Sequence, residues 1–128
     1  MSQIEYPGKD GTPRSWRPFS PATKVGNLLF VSGQASVDLE GNIITDSFEG
    51  ELRRSMENLK KVLEDCGSGL EHVVQTRNYL GDDKDGAEYN RLYREYFAEP
   101  FPARTTIVNC LGTSLKFEIE CIAIVPEK

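Results

Sequence analysis

A chain of 128 residues suits one domain spanning 1–128. Folding at that length buries roughly two-thirds of the surface the unfolded chain exposes, so neither a disulfide nor a metal is needed. A net charge of −5 without a basic patch argues against a nucleic-acid-binding surface. A single histidine, His72, excludes a multi-histidine metal site. Cys66, Cys110 and Cys121 lack C-x-x-C spacing and point to a reducing, cytoplasmic setting. The start has no basic-then-apolar leader, and no apolar run approaches a membrane span.

In chain order, residues 1–17 are polar and rich in Gly and Pro, and read as an arm rather than a unit of their own. Ala22–Val25, Gly26-Asn27 and Leu28–Ser32 then predict a β-hairpin with a two-residue turn. Ser32-Gly33-Gln34 leaves that strand on a glycine, where backbone approaches a ligand closely. Asp46 with Glu49 resembles a capping box. Leu52, Met56, Leu59, Leu63 and Cys66 follow at helical spacing, and Gly67 supplies the stop. Arg53, Arg54, Lys60, Lys61 and Glu64 fall on the solvated face.

His72 to Leu80 predicts a strand, and His72 at its start reads as a surface residue. Asp82-Asp83-Lys84-Asp85-Gly86 fails the spacing of a calcium loop and reads as an acidic helix start. A second helix from Asp85 to Phe97 presents Tyr89, Leu92, Tyr93, Tyr96 and Phe97 as its apolar stripe. Strands at Arg104–Asn109 and Lys116–Val125 complete the order β-β-α-β-α-β-β. This is an α+β architecture with two helices on one face of a mixed sheet.

No phosphate-binding glycine loop is present, and a Ser-His-Asp triad would have to recruit His72. The chemistry concentrates at the end of the chain. Arg104 opens the apolar run Thr105-Thr106-Ile107-Val108, and Lys116-Phe117-Glu118-Ile119-Glu120 returns two carboxylates. Guanidinium is the group best shaped to grip a carboxylate, and a glutamate beside it can orient a water or move a proton. If the last two strands form a hairpin of even register, Arg104, Glu118 and Glu120 face one side. The plain alternative is a cross-strand ion pair.

Several stretches carry a resemblance: Val25-Gly26-Asn27-Leu28-Leu29-Phe30-Val31-Ser32-Gly33-Gln34, Met56-Glu57-Asn58-Leu59-Lys60, Asn90-x-x-Tyr93-x-x-Tyr96-Phe97, Pro102-Ala103-Arg104 and Glu118-Ile119-Glu120-Cys121-Ile122-Ala123. Each is weak alone. In this order the chain resembles the reactive intermediate deaminase (Rid) or YjgF family from about Pro18 onward.

The resemblance implies a chorismate-mutase-like α+β fold. It implies a homotrimer whose three sheets form a central β-barrel, with pockets between subunits. It further implies cofactor-independent hydrolysis of 2-imino or 2-enamino acids to 2-oxo acids and ammonia. By resemblance Arg104 grips the substrate carboxylate, Thr106 contributes backbone contacts, Ser32 and Gly33 line the pocket, and Glu118 positions the attacking water. Glu120 takes a structural role, and Asn58 and Asn90 satisfy backbone groups. No metal, nucleic acid or membrane partner is implied.

The chain also departs from the family pattern. Phe19 stands where the pocket tyrosine is usual, and Thr106 where archetypal members carry cysteine. Cys110-Leu111-Gly112 replaces an Arg-Leu-Pro stretch with one residue fewer, and Trp16 and Arg17 replace small residues. These departures keep two other readings open. One is deamination of a larger aminomuconate-like diacid, with Arg17 or Arg14 on a second carboxylate. The other is non-catalytic binding of a 2-oxo acid through Arg104.

Overall fold

The computed structural model describes residues 3–8 and 17–127. Six strands form one mixed sheet: β1 (Ile4–Glu5), β2 (Ala22–Val25), β3 (Leu28–Ala35), β4 (Val73–Leu80), β5 (Ala103–Ile107) and β6 (Phe117–Ile124). Two helices, α1 (Phe48–Asp65) and α2 (Gly86–Tyr93), complete the framework. The spatial order is β1-β2-β3-β6-β4-β5. Residues of the predicted arm thus supply a short edge strand. Arg14 and Trp16, singled out from the sequence, lie outside the described residues.

The β2–β3 hairpin forms as its turn chemistry dictates, with Gly26 at φ +60°. The strand does not end at Ser32. It runs to Ala35 through a register shift between Val31 and Gln34, the local kink that a bulge produces. Helix α1 is capped by Ser47, whose hydroxyl accepts the Gly50 amide at 3.1 Å. The expected Asp46–Glu49 box is not used. The Asp46 carboxylate instead accepts the Ser47 amide and faces Arg54. At the other end Ser68 N–H bonds Leu63 C=O and Gly67 N–H bonds Glu64 C=O, with Gly67 at φ +84°. Glycine is favoured in this helix stop.

The core lies between the helices and one sheet face. Leu52, Met56, Leu59 and Leu63 of α1, and Tyr89, Leu92 and Tyr93 of α2, meet Leu29, Val31, Phe117, Ile119, Cys121 and Ala123. Cys66 is only partly buried against it. Helix α2 ends at Tyr93, and turns carry the chain to Phe97. His72 sits in a single turn ahead of β4, partly exposed and 3.6 Å from Glu71.

The expected terminal hairpin is absent. Strand β5 pairs parallel with β4, the neighbour it leaves through α2, while β6 pairs antiparallel with both β3 and β4. The burial patterns explain the exchange. Alternate residues of β6 are buried, which suits a central strand, whereas nothing on β5 is fully buried, which suits an edge.

Candidate active site

Register decides which groups meet. Thr76 stands between Cys121 of β6 and Arg104 of β5; Asn78 likewise stands between Ile119 and Thr106. Directly paired residues project to one side of a sheet. Arg104 and Thr106 therefore lie on the helix side with the core. Glu118 is paired with Tyr79 and Glu120 with Arg77, on the opposite side. Within one chain Arg104 and the glutamates do not share a face, which corrects the hairpin-based expectation and its Arg104–glutamate ion pair.

The arginine half is a cation on an aromatic floor. The Arg104 guanidinium carbon lies 4.9 Å from the ring centroids of both Tyr89 and Tyr93, inside the range of cation–π attraction. The rings are themselves tied to the sheet. Tyr89 shares a 2.8 Å hydrogen bond with the Thr106 hydroxyl, and Tyr93 shares another of 2.8 Å with Thr76. The Asn78 amide donates to the Thr76 hydroxyl and to the Thr105 carbonyl. Burial pushes the Tyr89 phenol up to about 12 and shifts Tyr93 the same way, so both remain neutral. Above this floor opens a recess of about 250 Å³, lined by Asn90, Tyr93, Arg94, Phe101, Pro102 and Arg104.

The carboxylate half is a second cavity, of about 640 Å³, whose lining includes Arg17, Phe19, Ser32, Gly33, Glu118 and Glu120. Glu118 is half-buried. Burial raises its carboxyl, and the neighbouring charge of Glu120 raises it further. Gly33 makes room for it, since a Cβ there would come within 2.1 Å of the Glu118 Oε2. Glu120 is engaged differently: Tyr79 donates a short hydrogen bond to it and Arg77 lies 3.4 Å away. The Ser32 hydroxyl donates to the Ser20 carbonyl at 2.6 Å, so it offers a ligand only its lone pairs.

The sequence-derived residues thus divide between two places: Arg104 and Thr106 in one, Phe19, Ser32, Gly33 and Glu118 in the other. Asn58 does satisfy backbone, donating to the Ala35 and Val37 carbonyls. Asn90 lines the arginine recess, and its backbone carbonyl accepts from Arg94. The sequence reading missed the hydroxyls of Tyr89 and Tyr93, which it counted as core. The available signal was their chemistry, because a buried tyrosine needs a partner that phenylalanine does not. Among the described residues no cluster of three His, Cys, Asp or Glu could hold a metal, and no helix is long and apolar enough to cross a membrane.

The chain is similar to known proteins in both sequence and fold. Residues 10–125 match the family model described as endoribonuclease L-PSP. A RutC family protein of Pyrococcus abyssi is 41% identical over 113 residues, covering 87% of this chain and 89% of its own length. A 2-iminobutanoate/2-iminopropanoate deaminase of Dermatophagoides farinae is 31% identical, covering 88% of this chain and 90% of its own. The crystal structure of the YjgF gene product of E. coli superposes with a TM-score of 0.81 at 28% identity, over 95% of this chain and 99% of that one.

Proposed function

The chain belongs to the Rid/YjgF family, whose model carries the endoribonuclease L-PSP description, and on that premise we propose that it hydrolyses 2-imino and 2-enamino acids to 2-oxo acids and ammonia. One observation carries the reading. A desolvated carboxylate with a raised pKa, and a guanidinium facing a small recess, are both present in a member of this family.

Chemically the pair is sufficient. The Arg104 fork holds the substrate carboxylate. The protonated imine carbon is already electrophilic, and Glu118 takes a proton from water as the water's oxygen bonds to that carbon. The resulting carbinolamine collapses. The nitrogen receives the proton held by Glu118 and the C–N bond breaks; as the C=O forms, the hydroxyl proton passes to Glu118 and on to the departing ammonia, which leaves a 2-oxo acid. Burial suits Glu118 to this exchange, because it brings the carboxyl closer to the pH at which it must both accept and return a proton. Thr106 fixes Tyr89 beneath the guanidinium, and Phe19, Ser32 and Gly33 wall the Glu118 side.

Because the two halves lie on opposite faces of one sheet, the reading includes assembly. Arg104 of one copy meets Glu118 of a neighbour in a homotrimer built around a central barrel. The sheet face away from the helices supports this. Leu28, Phe30, Val74 and Ile107 are each at least 40% exposed there, beside Glu118 and Glu120. An uncovered apolar sheet face is the kind of surface that association buries. The endoribonuclease description is not carried over, because a net charge of −5 gives a phosphate backbone no general attraction.

The test is ammonia release from imines generated in situ by an amino-acid oxidase, with light scattering on the same preparation. Acceleration by wild type that disappears in Arg104→Ala supports the reading. No acceleration of any imine by folded trimer would overturn the activity, and a monomer at working concentration would overturn the assembly.

A further inference from the structure

Two arginines, not one, line the recess beside Tyr93. Arg94 lines it together with Arg104, and no carboxylate is among its lining residues. Arg94 directly follows α2 and folds back along it, its Nη1 donating to the Asn90 carbonyl at 3.1 Å. A cation is favoured at a helix C-terminus, and this single bond leaves most of its N–H fork unspent. Arg104 lies over two ring faces and has the Tyr89 hydroxyl as a hydrogen-bond partner, but it faces no carboxylate.

Four further arginines behave differently. Arg53, Arg54, Arg77 and Arg91 each face a carboxylate at 2.9–3.8 Å. Among the described residues Arg94 and Arg104 form no ion pair. Two cations turned to one concavity repel each other, and in a chain of net charge −5 they make a local positive field that attracts anions. A ligand with two negative ends removes that cost. Asn90, an amide able to orient a polar group, and the apolar Phe101 and Pro102 line the same recess.

Resting on the deaminase reading, we propose that the preferred substrate is a 2-imino dicarboxylate. The carboxylate next to the imine sits on Arg104, the distal carboxylate sits on Arg94, and the methylenes between them pack on Phe101 and Pro102. A recess of about 250 Å³ falls just below the usual range of ligand sites, which restricts it to a short acid. The assignment differs from the one the sequence offered, because Arg17 lines the Glu118 cavity and not this recess.

The experiment compares kcat/KM for the imines of 2-oxobutanoate and 2-oxoglutarate, with calorimetric binding of the two 2-oxo acids themselves. Wild type, Arg94→Gln and Arg94→Lys are measured. The expected result is a wild-type preference of tenfold or more for the dicarboxylate. It narrows to near unity in Arg94→Gln, mainly through KM, and Arg94→Lys restores part of it. Equal rates for both imines in wild type, or a preference that survives Arg94→Gln, would overturn the proposal and leave the deaminase reading standing. Arg94-dependent binding of 2-oxoglutarate without turnover of any imine would do the reverse, removing the activity and keeping dicarboxylate recognition.

Discussion

The arginine half and the glutamate half of the site solve opposite problems with opposite materials. Arg104 is an exposed cation on an edge strand, and it is held by two aromatic faces whose hydroxyls are bonded to Thr76 and Thr106. Glu118 is a half-buried anion on a central strand, held by a glycine that lets its carboxylate approach the backbone. One half keeps a charge exposed over aromatic rings; the other withdraws a charge from water and raises its pKa. A ring face can orient a guanidinium without neutralising it, whereas a carboxylate becomes a useful base when burial raises its pKa.

Substitutions can separate the two. Glu118→Gln removes the proton acceptor and keeps the volume, so kcat should fall roughly 10²- to 10⁴-fold while product binding changes little. The same variant should be more stable than wild type at neutral pH. A carboxyl whose folded pKa is raised favours the fold when protonated, and that contribution is lost as pH rises through the folded value. The gain in Tm should shrink as pH is lowered towards the ordinary glutamate value of 4.5. Turnover should rise with pH over a range displaced above that value. A Tm that is lower in Glu118→Gln at neutral pH would contradict the desolvated state of this carboxylate.

Arg104→Ala should cost on the order of 10²-fold in kcat/KM, the scale of a lost charge-assisted fork, with carboxylate binding lost in parallel. Binding unchanged in that variant would dissociate the recess from the substrate. Gly33→Ala sharpens the comparison because it alters no charge. The added methyl displaces the Glu118 carboxylate, and turnover should drop roughly ten- to a hundredfold while Arg104-dependent binding persists. The smallest effect belongs to Tyr89→Phe, which keeps the ring beneath Arg104 and deletes the hydroxyl's bonds to Thr106 and Arg104. A loss of about 1 kcal/mol in denaturant unfolding is expected, with a KM change well below that of Arg104→Ala.

Much of the fold was legible because local signals agreed. Gly26 turned the hairpin, the Leu52-Met56-Leu59-Leu63 stripe made α1, and Gly67 ended it. The capping box was misread because Asp46 had a competing partner in Arg54. Glu51 was illegible as a buried group. Next to a core leucine it looks like helix surface, yet it is fully buried, accepting the Lys116 amide and ammonium together with the Asp46 amide.

The residues of the candidate site, Arg104 and Glu118 above all, were available from the chain alone, since their chemistry resides in the side chains and the alternation of faces is local. Which of them meet was not. Strand pairing between β4, β5 and β6 joins segments far apart in sequence, and the choice rests on which strand buries more apolar surface. Placing β6 in the centre and β5 at the edge set Arg104 and Glu118 on opposite faces, and the folding back of Arg94 brought a second arginine to the recess that Arg104 lines.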